Sequence, residues 1–595
     1  MEAPTNSRRS TVYSTKGIVS STQPLANAAG IKILSKGGNC VEACVAIAAC
    51  LAVLEPASTG IGGDCFSLFY KESDKKVYGI NGCGRSASKL NIDYIEENHP
   101  DHIGIGYRFK PDSVFKVTVP GAIAGWWDSV QKWGSGNVTF AETLQPAIDL
   151  AENGYVVSQI SAYLWSCAES KLLRENVQDE SLKIFLPNDN ISKAPKKGQF
   201  MTNPNLAKTL RLIAKYGKDG FYKGEVAKNI VKVLNEKHHV LSEKDLENHT
   251  STFVEPISYE FLNHKLWEIP PNGSGIIALM TLGLIKNLEK SGTIKLSELK
   301  HNSAEYLHII IECLKISFKE SEEYVNDYDH YKAKTGVNQN DLINTILGDE
   351  YLSNRTNEFS LDKSIENSKL SIPNPMFKSD TVYFTASDSE GNACSFINSL
   401  YEGFGSGIMV PDQGFILQNR GGNFSLNPKA KNSLDGGKRP YHTIIPGMIT
   451  KPTSDPNKEE LYASYGIMGG YNQPQAHVQV YLNMLYFGMD PQEALDAPRI
   501  SLYAKADLKH TDKGFGADGP ASNDVTVVGV EPGIEASIVE KLEKLGHHVK
   551  AFTGNERKMF GRGQIIRKES SPDSEHLVYA GGSDLRGDGA SVPLI

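Results

Sequence analysis

Asp380-Thr-Val-Tyr-Phe-Thr-Ala-Ser387, then Asp388-Ser-Glu-Gly-Asn392, then Ala393-Cys-Ser-Phe-Ile-Asn-Ser-Leu-Tyr401 is the stretch on which the fold reading turns. Residues 381–387 alternate polar and apolar as a half-buried strand does. Asp388–Asn392 has the Asp, Gly and Asn of a turn. Ala393–Tyr401 reads as a second strand and Gly414–Asn419 as a third. The residues before them, Asn367–Asp380, hold two prolines and little periodicity, so they read as an exposed loop. On pattern alone, an interdomain linker followed by a hairpin is the simplest account.

Outward from that point, helices dominate on both sides. Pro24–Lys36 has helical spacing and stops at Gly37-Gly38. Thr139–Asn153 stops at Gly154. In Asn302–Lys319, Asn302 with Glu305 reads as an N-cap box ahead of the stripe Leu307, Ile310, Ile311, Leu314 and Phe318. After the strands, Gln473–Phe487 and Ser537–Leu545 are amphipathic. Strands flanked by helices predict a layered α/β architecture, with the first 370 residues mostly helical.

The chain has 595 residues, 40% hydrophobic and 22% charged, which fits a globular core of more than one layer. Its 62 basic and 70 acidic residues give a net charge of −8, so neither nucleic acid nor an anionic membrane is expected as a partner. The first twenty residues are polar despite Arg8 and Arg9, without the apolar run of a secretory leader, so a cytoplasmic protein is expected. Ala43–Leu54 is the longest apolar run, too short to span a bilayer and suited to a buried helix. Eight scattered cysteines form no zinc pattern and read as reduced packing residues. No phosphate-binding P-loop and no His-Glu-x-x-His occurs, so no cofactor and no metal are expected.

Several blocks in order along the chain resemble the γ-glutamyltranspeptidase family. They are Gly17–Ala26, Gly37-Gly-Asn39, Glu55-Pro-Ala-Ser-Thr-Gly-Ile-Gly-Gly63 and Val119–Trp126. Asp380–Tyr383, Asp388–Asn392, Gly403-Phe-Gly-Ser-Gly407 and Leu417-Gln-Asn-Arg-Gly421 follow. Lys438-Arg-Pro-Tyr-His-Thr-Ile-Ile-Pro446, Met468-Gly-Gly470 and Gly581-Gly-Ser-Asp584 complete the series. The resemblance implies a four-layer αββα sandwich of the N-terminal-nucleophile hydrolase type. It implies an inactive precursor cut at Asp380–Thr381 into fragments 1–380 and 381–595, which stay together as a heterodimer. The substrate it implies is a small-molecule or peptide amide.

Amide hydrolysis needs a nucleophile and a base. Within the chain, Thr381 has only a non-basic amide nitrogen. Cleavage would turn it into an amine of pKa about 7.7–8.0, able to take the hydroxyl proton. The resemblance gives Thr381 as nucleophile, Ser399 beside it, and Gly469-Gly470 as the oxyanion hole. Glycines ahead of a helix suit that role, because N–H groups there lack intrahelical partners. Without the resemblance, Ser399 is one polar strand residue among several and Gly469-Gly470 an ordinary strand-to-helix turn.

The acyl pocket departs from the family's glutathione-cleaving pattern. Val382 and Tyr383 follow the nucleophile where threonine and histidine are usual. Arg420 and Asn423 stand where an acceptor and a carboxylate grip the glutamyl ammonium, and an arginine can only donate there. His442-Thr443 replaces paired serines, Tyr401 replaces an asparagine, and Arg85 is the candidate carboxylate-holding arginine, displaced by one position. The pattern looks like the acylase-like branch, with Arg420 able to hold a dicarboxylic acyl group such as glutaryl. Alternatively Arg420 makes a structural salt bridge and His442 is a core histidine. Three functions follow: a hydrolase of γ-glutamyl or related acyl amides through a threonyl ester, with acyl transfer to amino acids or peptides; a cephalosporin-acylase-like acylase; or a non-catalytic binding protein.

Overall fold

The computed structural model describes residues 7, 9–176, 180–187, 193–338, 340–365, 379–504, 526–569 and 576–595. The strand β2 (Ser379–Ser387) pairs antiparallel with β3 (Ala393–Glu402), and β3 with β1 (Asp64–Lys71). The turn between β2 and β3 closes because Asp388 Oδ1 accepts from the N–H groups of Glu390 (3.0 Å) and Asn392 (3.1 Å). These strands are central in a seven-stranded sheet whose spatial order is 590–593, 18–21, β2, β3, β1, 76–82, 252–254. A second seven-stranded sheet runs 12–14, 578–583, β5 (Arg562–Glu569), β4 (Glu459–Met468), 447–452, 264–268, 257–261.

Three apolar clusters define four layers. One joins the first sheet to the helices Pro24–Ser35, α1 (Cys40–Leu54), Ala122–Trp133 and Phe140–Asn153. One lies between the sheets, with Phe66, Tyr383, Ile397, Met448 and Met468. The last joins the second sheet to Ile276–Lys290, α2 (Ala304–Tyr324) and α3 (Asn472–Leu485). The αββα sandwich expected from the resemblance is therefore the architecture observed. α1 is buried along its whole length, capped by Asn39 with Glu42 completing the capping box.

Several local expectations need correction. Residues Asp380–Ser387 are buried on both faces, not half-buried, because helix α1 covers one side and the second sheet the other. Thr385 finds its partner inside the sandwich, where its Oγ1 lies 2.6 Å from Ser464 Oγ. Asp380, read as the end of a loop, belongs to β2; residues 367–378 of that loop lie outside the described residues. Gly414–Asn419 is not a strand. Its backbone bonds scatter, Leu417 N to Ile408 O and Gln418 N to Gly62 O, and it runs into a 3₁₀ turn at Arg420–Asn423. The cap of α2 is Ser303, which accepts from Tyr306 N, while Asn302 (φ +55°) donates to Pro498 O. The first 370 residues also supply seven of the fourteen sandwich strands, two of them in the short pieces Val12–Ser14 and Thr252–Val254, which periodicity cannot detect. The eight cysteines are free thiols.

Buried charge ties the C-terminal segment to the sandwich. Asp584 accepts from Gly563 N (2.9 Å), from Arg586 Nη1 (2.9 Å) and from Arg499. Burial alone would raise its carboxyl, yet the charges of Arg499 and Arg586 hold it down to about 2. A depressed folded pKa stabilises above the unfolded value of about 3.9 and the effect fades as pH falls through the folded one. Asp584→Asn is therefore expected to cost about 3–5 kcal/mol at pH 7, since it takes the ion-pair partner from buried Arg499 and leaves Arg586 with Glu531 alone. The gap between variant and native melting temperatures should narrow from pH 4 toward pH 2, as calorimetry at each pH would read.

Candidate active site

The register of β2 against β3 shifts between Asp380 and Val382, so the single residue Thr381 faces a bulge formed by Ser399 and Leu400 of β3. The threonine is fully buried. Thr381 Oγ1 donates to the Asp380 carbonyl oxygen at 2.7 Å and lies 2.9 Å from Ser399 Oγ, and Ser399 Oγ reaches the same carbonyl at 3.0 Å. Ser399 Oγ also accepts from Tyr401 N (2.8 Å) and from Arg420 Nη2 (3.2 Å). With both lone pairs taken, its single proton is left for the carbonyl or the threonine oxygen. Two hydroxyls thus converge on the peptide bond that the sequence singled out.

Arg420 is wholly buried. Its Nη1 donates to Thr443 Oγ1 (2.7 Å), and its guanidinium lies 4.3 Å from the centre of the Tyr401 ring. It makes no ion pair among the described residues, unlike the structural salt bridge considered above. Asn423 donates to Tyr441 O (3.0 Å) and accepts from Tyr471 Oη (3.4 Å). Thr381, Ser399, Tyr401, Arg420 and Thr443 are therefore one connected group, with Asn423 at the end of the 3₁₀ turn that Arg420 begins.

His442 is turned the other way. Its Nδ1 accepts from Ile444 N (3.3 Å), which leaves Nε2–H to donate to Asp64 Oδ2 (3.1 Å). Burial, with the Arg420 charge adding to it, pushes the imidazole down to about 3, so it stays neutral. Asp64 Oδ1 accepts from Gly84 N (2.9 Å), Gly121 N (3.1 Å) and Gln418 Nε2 (2.9 Å). Burial would raise the Asp64 carboxyl, but the His442 hydrogen bond and the Arg420 charge bring it below the usual range. Any side chain at Gly84 would strike Val119 O, 1.5 Å from an added Cβ, so the loop can reach Asp64 only as glycine.

Arg85 is not brought into the group. Its guanidinium donates to Thr250 O (3.3 Å) and makes no hydrogen bond or ion pair with Thr381, Ser399 or Arg420 among the described residues.

Gly469 (φ +145°) and Gly470 (φ +58°) link the end of β4 to α3 in backbone shapes that favour glycine. Their neighbour Met468 pairs with Arg562, and Arg562 Nη2 donates to Asp380 Oδ1 (2.9 Å). The same nitrogen lies 3.4 Å from Thr381 O and 3.8 Å from Glu55 Oε2. Thr381 N donates to Asp380 Oδ1 (3.0 Å). Sequence reasoning overlooked Asp64, Arg562 and the Asp380 side chain. The signals were present: Asp64 follows Gly62-Gly63 directly, and Arg562 sits between Gly561 and Gly563.

The Gamma-glutamyltranspeptidase family model matches residues 26–594. The chain belongs to the γ-glutamyltranspeptidase family. A glutathione hydrolase-like YwrD proenzyme of Bacillus subtilis is 32% identical over 98% of this chain and 99% of its own length. An oxamate amidohydrolase proenzyme of Klebsiella pneumoniae is 27% identical over 97% of this chain and 98% of its own. Among solved structures, cephalosporin acylase from Bacillus halodurans superposes with a TM-score of 0.81 at 34% identity, covering 99% of this chain and 97% of that one. The acylase thus shares the fold over nearly the whole of both chains. Among the described residues, no helix is long and apolar enough to cross a membrane.

Proposed function

We propose that this γ-glutamyltranspeptidase-family chain is the precursor of a self-processing amidohydrolase. The contact that carries the reading is Thr381 Oγ1 at 2.7 Å from the Asp380 carbonyl oxygen, with Ser399 on the same carbonyl. Thr381 Oγ attacks the Asp380 carbonyl carbon, the C–N bond breaks, and the hydroxyl proton passes to the nitrogen. Water then opens the ester, which leaves an Asp380 carboxylate and a Thr381 with free amine and hydroxyl. The products are fragments 1–380 and 381–595, held together by pairing such as β2 with 18–21 and β3 with β1. The names of the Bacillus and Klebsiella relatives, both proenzymes, support the cut.

In the mature protein, Thr381 acts as nucleophile, its own amine as base, and the N–H groups of Gly469 and Gly470 as oxyanion donors. Ser399 orients the threonine oxygen. A buried arginine beside Ser399 would repel an α-ammonium, so the favoured substrates are amides of acyl groups without one. The acylase and oxamate amidohydrolase relatives support that choice. The glutathione hydrolase-like relative supports a γ-glutamyl substrate instead. Cleaved protein assayed with glutaryl and γ-glutamyl 4-nitroanilides separates them: faster glutaryl turnover is expected, and a strong preference for the γ-glutamyl compound defeats the choice. An amine in place of water would give acyl transfer from the same ester.

The base must be unprotonated, so kcat/KM should rise with pH and level off above the amine pKa. That limb is expected at or below about 8, because nearby arginines disfavour the ammonium. His442, pushed down to about 3, should add no second limb between pH 5 and 8. A pH–rate profile checks both points.

A further inference from the structure

We propose that Arg562 is the carboxylate receptor of the mature acyl site, that the Asp380 side chain occupies this receptor in the uncut chain, and that the acyl group it takes is a four-carbon dicarboxylic half-amide of the succinamate type. The inference rests on the amidohydrolase reading above.

The first argument is chemical. The ester that self-cleavage forms on Thr381 is itself an acyl-enzyme, and its acyl group is Asp380. Counting from the reacting carbonyl carbon, Cα and Cβ separate it from the Cγ carboxylate, which is the spacing of a succinyl group. That carboxylate is held at 2.9 Å by Arg562 Nη2. The precursor therefore presents the site with an anionic acyl group of known length.

The second argument concerns what the cut leaves behind. Arg562 is almost wholly buried, with its side chain 4% exposed. Asp380 is its close carboxylate; Glu55 Oε2 stands further off at 3.8 Å. Glu55 Oε1 is already bonded to Gln23 Nε2 at 2.9 Å. When Asp380 becomes a chain end and departs, the guanidinium keeps the neutral Thr381 carbonyl at 3.4 Å and, of the two carboxylates, only the more distant Glu55. A buried cation so placed favours the entry of another anion. Arg420 differs, since both of its terminal nitrogens are committed to Thr443 and Ser399, neither of which the cut removes.

Third, the receptor is rigidly placed. Arg562 begins β5 and pairs with Met468, the residue before Gly469-Gly470. The carboxylate receptor therefore sits on the strand pair whose end the oxyanion glycines directly follow. Against the Asp380 spacing, an oxamyl group is two carbons shorter and a glutaryl group one carbon longer.

The test uses fully cleaved native protein and the 4-nitroanilides of oxalic, malonic, succinic and glutaric half-acids, with neutral butyryl and γ-glutamyl anilides beside them. The succinyl compound is expected to have the highest kcat/KM, about tenfold or more above butyryl. In whatever fraction of Arg562→Gln is cleaved, KM for the succinyl anilide should rise about tenfold while that for butyryl moves less than about twofold. Arg562→Lys should recover part of the loss. If Arg562→Gln is not cleaved at all, the native panel decides alone. Equal turnover of succinyl and butyryl anilides, or a maximum at another chain length, overturns the receptor while leaving the amidohydrolase reading standing. No turnover of any anilide by fully cleaved protein fails that reading, and the receptor with it.

Discussion

A Thr381→Ala chain is expected to remain a single 65.2 kDa polypeptide and to lose acyl anilide hydrolysis by at least about 10³-fold. The substitution removes the oxygen that stands 2.7 Å from the Asp380 carbonyl oxygen and leaves the strand backbone unchanged. One atom is asked to do two jobs, cutting the chain and attacking the substrate, so both should vanish together. Folding should survive, since the side chain is small and its partner Ser399 keeps its bonds to Tyr401 N and Arg420. Thr381→Ser retains the hydroxyl and should still be cut. Denaturing electrophoresis and an anilide assay on the same samples read both effects. Cleavage or activity in the alanine variant would mean that another group does the chemistry.

Asp64→Ala is expected to destabilise by about 3–5 kcal/mol, the range for removing one member of a buried charged network. Asp64 is fully buried and accepts from two backbone N–H groups, from Gln418 and from His442. Without it, those donors are stranded in the interior. The effect should reach the site, because Gln418 lies two residues before Arg420 and His442 precedes Thr443. Slower self-cleavage should accompany the lower melting temperature. Asp64→Asn should lie between the native protein and the alanine variant, since an amide oxygen can serve some of the donors while its NH₂ faces others. Native-like melting and cleavage in Asp64→Ala would show that the two loops are held by something else.

The layered fold was legible because strand and helix periods are plain where elements are long: α1, α3, β2 and β3 were all found near their observed limits. Strands of three or four residues were not, since two or three alternations carry no signal against composition. Gly414–Asn419 failed for a related reason. Its backbone partners come from separate loops, and no local pattern encodes that. Thr381, Ser399, Tyr401, Arg420 and Thr443, each expected from the resemblance, are gathered by the structure into one hydrogen-bonded group. Arg85 stays outside it, beside Thr250. Asp64 and Arg562 escaped notice because each acts through a partner over 300 residues or about 180 residues away in sequence, a coupling that a single sequence does not display. Their glycine neighbours were the only local mark.

The most direct measurement is N-terminal sequencing, with intact mass, of every polypeptide in a preparation that hydrolyses an acyl anilide. The account predicts two chains, the smaller beginning Thr-Val-Tyr-Phe from residue 381. Full activity in a single uncut polypeptide, or a cut that leaves Thr381 inside a chain, would contradict it.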